Sequence, residues 1–313
     1  MRESVRGFAD PLVDALRSLE NLQAFAWFGY YDELRGDIGQ ALLSSCPQLQ
    51  HLCVPYCIQL IPLLPKFNAL QTLELARERA PPSVYDPAFN HEAVHVTTAI
   101  VRYSSTLRTV SLFGDGIWDC SDASFSYLRD VELLSLKDCS CLGAFLTGCA
   151  RLDSLALSNA GKDSAISFFS ALAAVSPDAP PRLTSLKLIF FPTLDQQNGT
   201  VLANFLSTKK HLRRLDLVSE QTRWRNSERP LAAVLARLPD LEVLGLELGV
   251  GALPPGHLEF LDQHLPASLT TFVYGTSYWM DTIDENDWLA LVCHRDLRCR
   301  NVPTTTDPLN STH

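Results

Sequence analysis

The stretch "CPQLQHLCVPYC", residues 46–57, spaces its apolar residues in a way that favours one short strand. Leu52 and Val54 are two residues apart, which is the period of a β-strand, so both side chains point to the same face. Leu49 lies three residues before Leu52 and therefore precedes the strand. The stretch predicts a strand with one buried face, with a cysteine on either side of it.

The same spacing of apolar, two variable, apolar, one variable, apolar recurs along the chain. Ten copies are present, and their key positions are all apolar or aromatic. The copies are "LQAFAW" from Leu22, "LQHLCV" from Leu49, "LQTLEL" from Leu70, "LRTVSL" from Leu107, "VELLSL" from Val131, "LDSLAL" from Leu152, "LTSLKL" from Leu183, "LRRLDL" from Leu212, "LEVLGL" from Leu241 and "LTTFVY" from Leu269. The last three intervals are 29, 29 and 28 residues long. A nearly fixed period of this length indicates a repeat protein.

Helix-like segments lie between the copies. Apolar residues recur at intervals of three and four within 163–175, 199–212, 230–238 and 255–265. One strand and one helix cannot bury their apolar faces alone, whereas stacked units can. The sequence therefore predicts an α/β solenoid of about ten repeats, with parallel strands along its concave side. We expect one domain over residues 1–300 and a disordered tail over 301–313, which has little to bury.

The pattern resembles that of leucine-rich repeat proteins, and more narrowly their cysteine-containing subclass, C-x-x-L-x-x-L-x-L-x-x-C. Residues 46–57 match it at every position, "LRDVELLSLKDC" ends at Cys139 in the register of the copy from Val131, and Cys149 opens the next copy. The resemblance implies a right-handed α/β horseshoe similar to ribonuclease inhibitor. It also implies that Cys46, Cys57, Cys139 and Cys149 are small buried thiols.

The cysteine-containing subclass is typical of F-box/LRR proteins, the substrate receptors of cullin-RING ubiquitin ligases. The spelling "LFGDGIWDC" (112–120) is also similar to fungal F-box-like proteins. This resemblance implies a non-catalytic protein-interaction module, with Skp1 and cullin ligase components as candidate partners. The first copy begins at Leu22, so the F-box itself is not seen in this sequence. A repeat protein that regulates another enzyme is left open as an alternative.

One motif favours a different class of protein. His91, Glu92 and His95 spell H-E-x-x-H, in which two histidines bind zinc and the glutamate acts as the general base of a metalloprotease. The motif lies between the third and fourth strands, where the repeat calls for a convex helix. A catalytic zinc also needs a third protein ligand and a cleft, and the nearest downstream glutamate, Glu132, falls on a predicted strand.

Helical geometry explains the same residues without a metal. At 100° per residue, His91 and His95 fall on the side of the helix opposite to its apolar face. That predicted core face consists of Phe89, Ala93, Val96, Ile100 and Tyr103. We therefore expect a solvated helix face and no metal or cofactor, and we keep a zinc-dependent hydrolase as the alternative.

Charge and composition limit the partners. The net charge of -9 argues against nucleic-acid binding, which needs a basic face. The segment 209–229 is locally basic but contains acidic residues, so we expect a solvated surface there. The N-terminus lacks the apolar region of a signal peptide, and no run reaches the roughly 18 apolar residues of a membrane helix. A cytoplasmic or nuclear protein with its nine cysteines reduced is the expectation.

Partner binding in such a solenoid is expected on the concave surface and on the loops that follow the strands. Strand residues that flank the inward apolar pair point to that surface. The expected contact residues are Phe28, His51, Glu74, Phe113, Lys137, Lys187, Phe190, Arg214, Asp216 and Glu247. The loops 76–90 and 219–229, which are longer than the repeat requires, are the second choice. No catalytic residue is predicted.

Overall fold

A computed structural model describes residues 11–28, 36–55, 59–76, 90–114, 117–159, 162–190, 196–219, 228–248, 257–276 and 298–301. The chain forms two compact units. Unit 1 comprises Met1–Leu136 and Ala144–Leu152, and unit 2 comprises Lys137–Gly143 and Asp153–His313. Each unit consists of parallel strands separated by helices.

Unit 1 contains five parallel strands that pair in chain order. They are β1 (Ala24–Ala26), β2 (His51–Pro55), β3 (Thr72–Ala76), β4 (Thr109–Phe113) and β5 (Asp130–Leu136). The helices along this part of the chain are α1 (11–17), α2 (Gly36–Ser45), α3 (Asn90–Arg102) and α4 (Leu142–Gly148), with 3₁₀ helices at Ile61–Lys66 and Asp122–Phe125. Every crossover therefore returns the chain to start the next parallel strand.

Unit 2 continues the same plan with six parallel strands in chain order. They are β6 (Ser154–Asn159), β7 (Ser185–Phe190), β8 (Arg214–Ser219), β9 (Val243–Leu248), β10 (Thr271–Thr276) and β11 (Arg298–Asn301). The helices are α5 (Lys162–Ala174), α6 (Gln196–Ser207), α7 (Glu228–Leu235) and α8 (His257–His264). These four helices match the four predicted segments, and consecutive helices pack side by side.

The core is built from the strand residues that repeat at the same register. Leu186, Leu215 and Leu244 are neighbours on three consecutive strands, and each is 0% exposed. Burying one leucine side chain stabilises a fold by about 1.5–3 kcal/mol. Because every repeat adds such residues to the same ladder, the apolar face of one repeat is covered by the next.

The fifth copy has a different register from the one predicted. Val131 pairs with Val110, so the copy starts at Leu128 and its inward residues are Val131 and Leu133. The predicted start at Val131 is therefore wrong by three residues. The sequence allows both starts, because Leu133 fits a copy that begins at Leu128, and Leu134 and Leu136 fit one that begins at Val131. The burial of Val131 and Leu133 selects the start at Leu128. Beyond it, Ser135 adopts a positive φ of 54°, within the last residues of the strand.

Several predictions at the level of single residues are confirmed, and two are wrong. Cys46, Cys139 and Cys149 are buried free thiols, while Cys57 lies outside the described residues. The expectation of a solvated surface over 209–229 is wrong for Lys209, of which only 4% is exposed. Asn301 belongs to β11, whereas the tail was predicted to begin there; residues 302–313 lie outside the described part. The single domain over 1–300 stays a prediction.

Within the described ranges, no helix combines the length and apolar character needed to cross a membrane.

Candidate functional site

The strands carry their second set of side chains on the face opposite to the buried leucines, called the strand face below. In β2, Leu52 and Val54 are 0% exposed, whereas His51 is exposed and Cys53 is half-buried. The same alternation holds in β7, where Leu186 and Leu188 are buried and Lys187 is exposed. Period-two alternation thus presents a row of side chains to the surroundings from the strands whose side chains are described.

Polar pairs between neighbouring strands hold the strand face of unit 1. His51 Nδ1 lies 2.9 Å from Thr72 Oγ1, its register neighbour. Ser111 Oγ donates a 2.6 Å hydrogen bond to Glu132 Oε2 on the next strand. Such pairs fix the rotamers of surface side chains, which lowers the entropy that a partner must overcome on binding.

Carboxylates give this part of the strand face its charge. Glu74 and Glu132 lie at the same level of β3 and β5, and Asp130 begins β5. Burial, together with a hydrogen bond and a charge contact with Glu74, raises the pKa of the neighbouring Cys53 thiol to about 11. None of the described strand-face positions of β1 to β5 is Lys or Arg. This surface therefore favours a partner with positive charge.

The strand face of unit 2 carries both signs of charge. Arg214 Nε donates a 2.7 Å hydrogen bond to Asp216 Oδ2, and Asp216 is the register neighbour of Lys187. The Asp216 side chain is only 16% exposed because it lies over Gly245, where an added Cβ would come within 2.2 Å of Asp216 Oδ1. A glycine at this position thus provides the space that directs the carboxylate toward Arg214.

Comparison with known proteins identifies the fold. No family model matches the sequence, and no curated protein matches it. Among solved structures, the chain is similar to the leucine-rich repeat-containing protein LegL7 from Legionella pneumophila, with a TM-score of 0.50 and 14% identity over 93% of this chain and 95% of that one. The chain has a leucine-rich repeat fold. At this level of identity the likeness concerns the fold alone, and the predicted α/β solenoid class is confirmed.

Within the leucine-rich repeat fold, most of the predicted contact residues lie on or next to the strand face. Glu74 and Phe113 are half-buried, Lys187 and Arg214 are exposed, and Phe28, two residues after β1, is 74% exposed. Their role in binding stays a prediction. Phe190 and Glu247 lie in β7 and β9, but their side chains fall outside the described part of the chain.

The prediction that Lys137 is a strand residue is wrong, because the fifth copy has a different register; its role in binding stays a prediction. The strand-face residues of β5 are Asp130, Glu132 and Leu134, and Lys137 comes after the last strand residue, Leu136. The misplaced frame therefore missed Asp130 and Glu132 as strand-face residues. Counting from Leu128 would have found both, because that start repeats the 21-residue interval between the second and third copies.

The H-E-x-x-H motif lies on α3, the helix predicted for it. Val96, Ile100 and Tyr103 are buried as the core-face prediction requires, and Thr98 and Arg102 are exposed. The side chains of His91 and Glu92 lie outside the described residues. Among the residues that are described, no group of three His, Cys, Asp or Glu could hold a metal ion. The Glu132 carboxylate accepts its hydrogen bond from Ser111 on the strand face.

Proposed function

We propose that this chain is a non-catalytic protein-interaction module that binds a partner protein on the strand face. The observation that carries the proposal is the exposure of large and charged side chains on the face that the fold repeats in every strand. Lys187 and Arg214 are exposed there, and Phe28 at its edge is 74% exposed. Exposed aromatic and arginine side chains beside fixed polar pairs are common anchors of protein interfaces.

The finer proposal is that the module acts as a substrate receptor of a ubiquitin ligase, in the cytoplasm or nucleus, over one domain spanning residues 1–300. Its support is the cysteine-containing repeat pattern at residues 46–57 and at Cys149, which resembles that of F-box/LRR proteins. Skp1 and a cullin would then be part of its complex. The acidic strand face of unit 1 favours a substrate segment rich in Lys and Arg, through charge complementarity.

Affinity purification of the tagged chain from its own cells, with the proteasome blocked, tests both levels. The test variant combines Phe113→Ala, Lys187→Ala and Arg214→Ala. A matched control takes one apolar and two basic residues that are exposed away from the strand face: Ile166→Ala, Arg17→Ala and Arg237→Ala.

The wild type and the control should recover the same partner proteins, and the test variant should lose them while keeping its thermal midpoint. Equal recovery by all three proteins would refute binding through the strand face. Recovery of partners without Skp1 or a cullin would refute the ligase assignment and leave the interaction module standing.

A further inference from the structure

Three arginines and one tyrosine gather where β4 and β5 begin, in a cluster called the arginine edge: Arg108, Tyr127, Arg129 and Arg151. The guanidinium carbons of Arg108 and Arg151 lie 5.1 Å and 4.8 Å from the centroid of the Tyr127 ring. Arg129 is next to Arg108 in the ladder, because its backbone N–H donates a 2.8 Å hydrogen bond to the Arg108 carbonyl. Three positive charges therefore share one small area of unit 1.

The arginine edge is open to a ligand. Arg129 and Arg151 are exposed, and Tyr127 is 37% exposed. Arg108 uses Nη1 to donate 3.1 Å hydrogen bonds to the carbonyls of Ser105 and Leu107, which holds its guanidinium group in place. In the described ranges none of the three arginines forms an ion pair. Like charges at this separation repel, and the face of the tyrosine ring offsets part of that cost.

Unit 2 provides the internal comparison, because its described arginines at the same repeat positions lie beside carboxylates. Arg213 follows the first leucine of its copy, as Arg108 and Arg129 do, and it donates to Glu242 at 2.7 Å and 2.8 Å. At the residue directly before the first leucine, which is the position of Arg151 in unit 1, His211 lies 3.5 Å from Asp240 and Arg182 lies 3.6 Å from Asp153. A carboxylate thus lies beside Arg182 and beside Arg213 in unit 2, whereas the three arginines of the arginine edge form no ion pair among the described residues.

We propose that the arginine edge binds a phosphoryl group carried by a segment of a partner protein. A phosphoryl group brings a charge of about -1.5 to -2 and three acceptor oxygens, which suits several guanidinium donors on one patch. Guanidinium groups pair with such oxygens through two parallel hydrogen bonds, and this geometry favours arginine over lysine. The exposed part of the Tyr127 ring offers apolar contact to the residues beside the phosphorylated one.

A nucleic-acid phosphate is the weaker source. The chain has a net charge of -9, and affinity for a nucleic-acid backbone depends on neutralising many phosphates along its length. One cluster of three arginines contacts a single phosphoryl group well and a long backbone poorly. This site rests on the proposed function only in the assumption that the chain binds a protein. Its residues lie outside the strand face.

The test is fluorescence anisotropy with the purified full chain and three labelled probes. The probes are a pool of short peptides with a central phosphoserine and randomised flanks, the same pool with serine, and an oligothymidine. The test variant is Arg129→Gln with Arg151→Gln. The control is Arg17→Gln with Arg237→Gln, which removes the same charge from exposed positions elsewhere. Arg151→Gln alone serves if the double variant does not fold.

The wild type and the control should bind the phosphoserine pool in preference to the serine pool. The test variant, which removes two guanidinium groups, should bind it at least about ten-fold more weakly, because the loss of even one charge-assisted contact has an effect of that size. The strand-face variant of Phe113, Lys187 and Arg214 should bind the phosphoserine pool as the wild type does, so that failure of one proposal is separable from failure of the other. No preference for phosphoserine, an equal loss in the control, or tighter binding of oligothymidine would overturn the proposal.

Discussion

Replacing Tyr103 with phenylalanine tests how the irregular part of unit 1 is anchored. Tyr103 directly follows α3 and is 2% exposed. Its single hydroxyl proton is shared between the Leu64 carbonyl, 3.0 Å away, and the Phe67 carbonyl, which is nearer. These bonds tie α3, the helix that carries the H-E-x-x-H motif, to the 3₁₀ helix at Ile61–Lys66.

The expected cost follows from the two carbonyl acceptors. The Leu64 carbonyl also accepts from the Phe67 backbone N–H at 3.3 Å, so it keeps a partner in the variant. The Phe67 carbonyl loses the bond from Tyr103, and leaving a buried acceptor unsatisfied costs about 1–3 kcal/mol. The phenylalanine ring fills the same volume, so no large cavity adds to this cost. Tyr103→Phe should therefore lower the free energy of unfolding by about 2 kcal/mol.

Urea unfolding followed by circular dichroism measures this difference, with Tyr127→Phe as the matched control. Tyr127 is 37% exposed, so its hydroxyl can be solvated and the control should stay within about 0.5 kcal/mol of the wild type. Equal stability of Tyr103→Phe and the control would contradict this, because the hydroxyl would then contribute nothing to anchoring α3.

Three further changes have defined outcomes. Burial lowers the pKa of Lys209 to about 8 in the folded protein, whereas in the unfolded chain this pKa is about 10.4. Between these two pH values the free energy of unfolding of the wild type should therefore rise by about 3 kcal/mol relative to that of Lys209→Met. The same pH dependence for both proteins in urea titrations would contradict this. Gly245→Ala should cost about 1 kcal/mol, because the new Cβ displaces the Asp216 carboxylate, and a thermal midpoint at or above that of the wild type would argue against it. Iodoacetamide at pH 8 should label the exposed Cys141 well before Cys149, whose pKa burial raises to about 12; peptide mass mapping showing equal rates would disprove the difference.

The repeat made most of the fold predictable from the sequence. In each copy, two apolar residues that are two positions apart predict which strand residues are buried. Ten copies of this pattern are compatible with few other folds. The register of the fifth copy was not predictable in the same way, because Leu133, Leu134 and Leu136 satisfy two frames. Only the burial of Val131 and Leu133 against the neighbouring strand decides between them.

The candidate sites were less accessible to sequence reasoning, because they depend on which side chains meet across repeats. Arg108 and Arg151 are 43 positions apart in the sequence, yet both contact the Tyr127 ring. Lys209 looked like part of a basic surface, but its ammonium donates hydrogen bonds of 2.8 Å and 2.6 Å to the carbonyls of Pro177 and Ala179. Spacing along the chain predicts a face of the fold, whereas the partner of a long charged side chain comes from the folded structure.

The central claim is that a partner protein binds the strand face, and photo-cross-linking tests it most directly. A photoreactive amino acid replaces either Lys187, which is exposed on the strand face, or Ile166, which is 79% exposed on α5. After irradiation in cells, the position at Lys187 should give a discrete cross-linked protein that the position at Ile166 does not give. Cross-links of equal yield at both positions, or at Ile166 alone, would contradict the account.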